Sequence, residues 1–222
     1  MHSRAPRIFS VLGLLPLLIL AGCVDLEMKL ALNRDGSGAV TSSLIAPKQL
    51  ASGNLNLQRS LVIEPPPQTS LDPRGEQVAF TSRSSFESLA QVIARPGAEF
   101  ELKRVESGFL WGLFKPTYRL RAQVEGASQA QAKEAAALFI GHFFKATLEV
   151  PGEIQTAHAA GLGGLSIQPQ VSEDKKTATW SVPLDSFLGH EGPLVFAVDF
   201  KAGLDLPEDQ RQGVKSRQEG AS

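Results

Sequence analysis

One thiol is present in the chain, Cys23, and it follows Leu20-Ala21-Gly22. A thiolate is nucleophilic enough to form a thioether, and the small side chains of Ala21 and Gly22 let an extended backbone enter a protease. Upstream, Arg4 and Arg7 precede an apolar run from Ile8 to Leu20 broken only by Ser10, Gly13 and Pro16. A basic start, a short apolar stretch and a small-residue end make a signal peptide. The run is shorter than the roughly 20 apolar residues of a spanning helix, so cleavage is expected rather than retention.

Leu20-Ala21-Gly22-Cys23 resembles the bacterial lipobox, in which the cysteine receives a diacylglycerol and the chain is cut just before it. The expectation is that residues 1–22 are removed and that Cys23 carries diacylglycerol, with an N-acyl chain of the palmitate kind besides. A lone cysteine in an exported protein has no intramolecular partner, which leaves a free thiol, an intermolecular bridge or a modified residue, and its position suits modification. Two or three acyl chains at about 0.8 kcal/mol per buried methylene hold a protein far more firmly than one. The expected place is the extracytoplasmic side of the cell membrane or outer membrane.

The remaining reactive side chains form no constellation. His142, His158 and His190 lack the close ligand spacing of a metal site. His142 is expected at a helix boundary with its polar tip in water, and the other two in loops. No Gly-x-Ser-x-Gly elbow, P-loop or dinucleotide fingerprint occurs. Gly161-Leu162-Gly163-Gly164 has no following helix to aim N–H groups at a phosphate and reads as a turn. Glu173-Asp174 and Glu208-Asp209 fall in polar segments, where solvated charge is the default. No catalytic residue, metal or further cofactor is assigned, and an enzyme is the least favoured class.

One segment is unusually apolar for a hairpin tip: Phe109-Leu110-Trp111-Gly112-Leu113-Phe114, between Gly108 and Lys115-Pro116. Two readings stand. Either it is strand and core contact, which is preferred, or Phe109, Trp111 and Phe114 form an exposed wedge against membrane or an apolar ligand.

Charge excludes one class of partner. The chain has 22 Lys+Arg against 23 Asp+Glu, and losing Arg4 and Arg7 leaves a net of about −3. Such a balance offers no general attraction to nucleic acid. About 200 mature residues suffice for one domain with a proper core.

The elements that position these residues read largely as strands. Leu26, Met28, Leu30 and Leu32 alternate with polar neighbours, Arg34-Asp35-Gly36-Ser37-Gly38 is a turn, and Val40 to Ala46 returns as a hairpin. Residues from about 49 to 75, with Glu64-Pro65-Pro66-Pro67, read as a Pro-rich surface excursion in which Leu61-Val62-Ile63 docks as an edge strand. Strands follow at Gln77 to Arg83, Glu99 to Val105, Tyr118 to Val124, Ala146 to Val150, Ala178 to Leu184 and Leu194 to Phe200. Ser84 and Glu87 have capping-box spacing before Phe86, Leu89, Ala90 and Ile93, which predicts a short helix. Ser128 and Gln131 open a longer one, to Phe144, with Ala132, Ala136, Phe139, Ile140 and Phe143 on one stripe. Residues 203–222 are polar and expected to be disordered.

The predicted fold is therefore a single α+β domain over 23–202. It has an antiparallel sheet of about seven or eight strands, one main helix packed on a face and a second short helix, with an all-β sandwich as the alternative. With Cys23 starting a hairpin through Asp35-Gly36-Ser37-Gly38, a central helix, Val150-Pro151-Gly152-Glu153-Ile154 and Ala178-Thr179-Trp180, the chain resembles the LppM-like domain of bacterial lipoproteins over most of its mature length. His158-Ala159-Ala160-Gly161 stands where such proteins often have an Asn-Gly turn, and the C-terminal membrane helix that some carry is missing. The resemblance implies an envelope-facing domain that contacts amphiphiles, and it brings no catalytic motif. The functional expectation is a membrane-tethered, non-enzymatic binding module for lipid or another amphiphile. The alternative is a protein-interaction or assembly subunit.

Overall fold

Leu30 is completely buried, Met28 and Leu32 nearly so, and Lys29 between them is exposed. That alternation makes β1 (Asp25–Leu32) a strand with one face on the core. The chain reverses where Gly36 takes φ 82° and the Asp35 carboxylate accepts from the Ser37 N–H and hydroxyl at 3.0 and 2.6 Å. β2 (Gly38–Pro47) then pairs antiparallel with β1, Val40 opposite Leu30 and Leu44 opposite Leu26. This is the predicted first hairpin. The computed structural model describes residues 25–47, 68–71, 77–89, 98–105, 116–125, 141–161, 167–188, 190, 192–206 and 214–215.

The same alternation recurs along the described chain. After β2 come β3 (Gln68–Leu71), β4 (Gln77–Phe86), β5 (Ala98–Val105), β6 (Thr117–Glu125), β7 (Phe143–Glu149), β8 (Glu153–Ala160), β9 (Gln170–Val171) and β10 (Thr177–Pro183). A one-turn helix, α1 (Leu184–Leu188), leads to β11 (Pro193–Lys201) and β12 (Val214–Lys215). Seven strands form one sheet in the order β3-β4-β2-β1-β7-β10-β9, and five form another in the order β12-β5-β6-β11-β8. All neighbours are antiparallel except β1 and β7, which run side by side in the same direction.

The two sheets face each other across one core. Trp180 of the first lies 5.4 Å from Phe196 of the second, centroid to centroid, and Phe144 lies 6.1 Å from the same ring. Leu148, Trp180, Leu120, Phe196 and Phe200 have no exposed surface. Two sheets with interdigitated inner faces make a β-sandwich.

The α+β expectation is thus overturned in favour of its all-β alternative, and both predicted helices lose ground. Ser84 and Phe86 belong to β4, opposite Val40 and Gly38. A Cβ on Gly38 would sit 2.5 Å from the Phe86 ring, so the missing side chain is what lets that ring pack there, and this pairing outweighs the local capping signal. The longer predicted helix runs through Gly141 to Phe144, but Gly141 has φ 87°, outside the right-handed helical region, and Phe143–Glu149 is strand. Residues 126–140, the rest of that helix, and 90–97 of the shorter one lie outside the described residues.

Two smaller expectations also change, and a third is untested. Gln68–Leu71 forms an edge strand on β4, and Leu61-Val62-Ile63, read as an edge strand, lies outside the described residues. In the segment read as a disordered tail, Leu206 is buried and Val214–Lys215 pairs with β5. His142 is buried beside the start of β7, rather than holding its tip in water.

Candidate functional site

Strand direction gathers one group of turns at a single end of the sandwich. β1 starts at Asp25, and its eight residues at about 3.3 Å each carry the chain roughly 25 Å to the turn that holds Arg34. β7 runs parallel to β1, so its exit at Pro151-Gly152 lies at that far end too. β10 is antiparallel to β7 and therefore begins there, after Asp174-Lys175-Lys176. Lys201, the last residue of β11, pairs with Glu153, the first of β8. Between these turns lies a half-open cleft of about 500 Å³.

Backbone bonds tie its walls together. The Val150 N–H donates to the Lys176 carbonyl at 2.9 Å and the Ile154 N–H to the Lys175 carbonyl at 2.7 Å. The Asp205 N–H donates to the Arg34 carbonyl at 2.8 Å, which straps residues 203–206 across to the first turn. Gly152 rests against the end of β11 so closely that a Cβ there would lie 2.1 Å from the Lys201 carbonyl oxygen.

The acids of the lining are hydrogen-bonded or ion-paired, and the Lys176 charge also acts on Asp174. Asp174 accepts the Ser172 hydroxyl at 2.5 Å and the Lys176 N–H at 3.1 Å, and the Ser172 bond, with the Lys176 amide second, holds its carboxyl below the usual range. Glu153 pairs with Lys175 at 3.1 Å. Arg34, Lys176 and Lys201 form no ion pair with a described acid. The described lining offers guanidinium, ammonium and carboxylate groups, an arrangement that can hold a ligand electrostatically.

A second polar cluster lies on the outer face of the five-stranded sheet. Arg119 grips Asp199 with both arms at 2.7 and 2.9 Å, and the Thr156 hydroxyl donates to the same carboxylate at 3.1 Å. The Arg119 bond chiefly, then that of Thr156, holds Asp199 below the ordinary carboxylate range, against the effect of its burial. A depressed folded pKa gives stability that is present above the unfolded value of about 3.9 and lost as pH falls through the folded one. Asp199→Asn should therefore melt lower than the parent near pH 6, and the gap should close below about pH 4. Melting curves that stay parallel down to acid would show that the pair contributes nothing. Lys29–Glu149 and Lys145–Glu27, on the other sheet, are half-exposed surface pairs of small value.

Of the residues singled out by sequence, Cys23, Phe109, Trp111 and Phe114 lie outside the described residues, as do Glu208 and Asp209. His158, expected in a loop, stands exposed on β8 near Asp199. Among the described residues, no three His, Cys, Asp or Glu side chains come together as a metal site. The cleft cations Arg34, Lys176 and Lys201 were not anticipated, since they sit singly at strand ends with no common spacing.

No family model matches the chain, and no curated protein does. Among solved structures, it is similar to the NMR structure of the folded domain of LppM from Mycobacterium tuberculosis, at 9% identity over 81% of this chain and 91% of that one, with a TM-score of 0.36. The motif resemblance and the structural comparison thus name the same domain, LppM.

Proposed function

We propose that this chain is a lipid-anchored, non-enzymatic binding module of the bacterial cell envelope, hung from one end of its sandwich by Cys23. The supporting observation is that β1 opens at Asp25, two residues after that cysteine, so the fold begins almost at the anchor. At the same end Phe143 is 40% exposed, with its N–H donating to the Asp25 carboxylate at 3.2 Å. An exposed aromatic suits the bilayer interface. The ligand we favour is an amphiphile; Phe109, Trp111 and Phe114 are the candidate contacts for its apolar part on the wedge reading of that segment.

Expressed in full in a bacterium, the protein should fractionate with membrane and yield an N-terminal peptide starting at Cys23 with the added mass of its acyl chains. Cys23→Ala should abolish both. A native chain that begins at Met1, or a mature one with an unmodified thiol, overturns the proposal.

A second reading, an assembly subunit, is favoured by one feature. Among the described residues, three of the four sheet edges are strands of two to four residues, β3, β9 and β12, whereas β8 runs for eight. Its Thr156, His158 and Ala160 are exposed, and it carries no proline and no lysine. An open edge of this length is a template for another strand. Native mass spectrometry of the detergent-extracted protein separates the two readings: co-purifying lipid supports the amphiphile, and a bare chain or a second protein supports assembly.

A further inference from the structure

We infer that the cleft at the far end of the sandwich binds a phosphate-bearing solute, with Arg34, Lys176 and Lys201 as the cations that contact it. This deepens the binding-module reading, and it rests on the anchored arrangement only for the direction in which the cleft faces.

Four observations converge. The three cations come from separate elements, the β1–β2 turn, the β9–β10 turn and the end of β11, so only the folded chain brings them to one place. Glu153 is paired with Lys175, and Asp174, which keeps its charge, is hydrogen-bonded to Ser172 and the Lys176 amide, so Arg34, Lys176 and Lys201 outnumber the one lining acid without an ion pair. The walls are held by backbone bonds between turns, which lowers the ordering cost of binding. The volume, about 500 Å³, is that of a small-molecule site rather than of a single ion.

The residue types favour phosphate. A guanidinium offers a planar fork and an ammonium a point charge, and one fork with two point charges suits a group with several oxygens and a charge near −2. A single carboxylate would leave two of the three cations unanswered. Gly152 and Gly203 add no side chain to the lining, and a Cβ on Gly203 would meet nothing within 4 Å, so the approach is open. With β1 standing along the membrane normal, the roughly 25 Å between this end and Asp25 puts headgroups of the anchoring leaflet beyond reach. The phosphate therefore comes from a soluble or polymeric compound, or from a headgroup on another membrane.

Inorganic pyrophosphate is the probe, titrated by calorimetry into the full chain in neutral detergent at about 0.15 M salt. Saturable binding is expected. Arg34→Gln and Lys201→Gln should each weaken it about tenfold or more, while Lys103→Gln, exposed on β5, leaves it unchanged. All three replaced residues are exposed, so unchanged melting temperatures confirm that folding is not the cause. Cys23→Ala should bind pyrophosphate like the parent, so a failure of the anchor leaves this test intact. Vesicles of phosphatidylglycerol in phosphatidylcholine, added to the Cys23→Ala protein, distinguish the source: capture that pyrophosphate competes away assigns a headgroup, and no capture assigns a soluble phosphate. No saturable binding, tighter binding of citrate than of pyrophosphate, or binding indifferent to Arg34→Gln and Lys201→Gln overturns the inference.

Discussion

Trp180→Ala should lower the unfolding free energy by about 3–5 kcal/mol, a large part of what holds a domain of this size together. Trp180 has no exposed surface, stands opposite Ala146 on β7, and reaches across to Phe196 of the second sheet. Its removal takes away the largest side chain that touches both layers, and the flanking strands are too fully paired to collapse into the space. Trp180→Phe makes the same site informative in a second way. The indole Nε1 is buried and finds no hydrogen-bond acceptor among the described residues. Phenylalanine loses volume but also removes a donor whose burial costs about 1–3 kcal/mol, so its penalty should be less than half that of alanine. Urea unfolding of both variants checks the pair. An alanine penalty under about 1 kcal/mol would mean that the sheets are not held through this residue, and equal penalties would mean that Nε1 has a partner.

Much of this sandwich could be read in the chain because several of its strands have one buried face each. Leu26 to Leu32, Tyr118 to Val124 and Ala178 to Val182 alternate cleanly, and Leu194 to Phe200 does so but for the buried Ala197; each is the strand that its pattern predicts. The misreadings arise where that signal is weak or mimicked. β8 places Ala157 and Ala159 on its inner side and Ala160 outside, so alanine on both faces erases the period. β3, β9 and β12 are too short to have one and exist because a neighbour offers an edge. Phe143 and Phe144 continue a helical stripe on paper, but Gly141 stops any helix before them and the two rings go to opposite faces of β7. The parallel pairing of β1 with β7 joins residues more than a hundred positions apart, which no local pattern encodes. The candidate cleft follows the same rule: Arg34, Lys176 and Lys201 carry no motif, and only sheet order makes them neighbours.

Gly152→Ala should be nearly as damaging as loss of the tryptophan, for the opposite reason. The added Cβ would lie 2.1 Å from the Lys201 carbonyl oxygen and 2.8 Å from both the Lys201 carbonyl carbon and the Ala202 Cβ. Two of these three atoms are backbone, and the third is fixed to it, so no rotamer relieves the clash. The β7–β8 turn must move off the end of β11, which breaks the Glu153–Lys201 pairing and pulls on the Ile154 bond to Lys175. Ordinary overpacking costs about 1–3 kcal/mol, and an obstacle made of backbone belongs at the upper end, about 3 kcal/mol. Gly203→Ala is the control, since its Cβ meets nothing within 4 Å and the change should stay within about 0.5 kcal/mol. Both glycines line the cleft, yet only Gly152 sets the spacing of its walls. Gly152→Ala should therefore lose pyrophosphate binding together with melting temperature, while Gly203→Ala keeps both. If Gly152→Ala melts with the parent, the turn does not lie tightly against β11, and Gly152 does not set the spacing of the cleft walls.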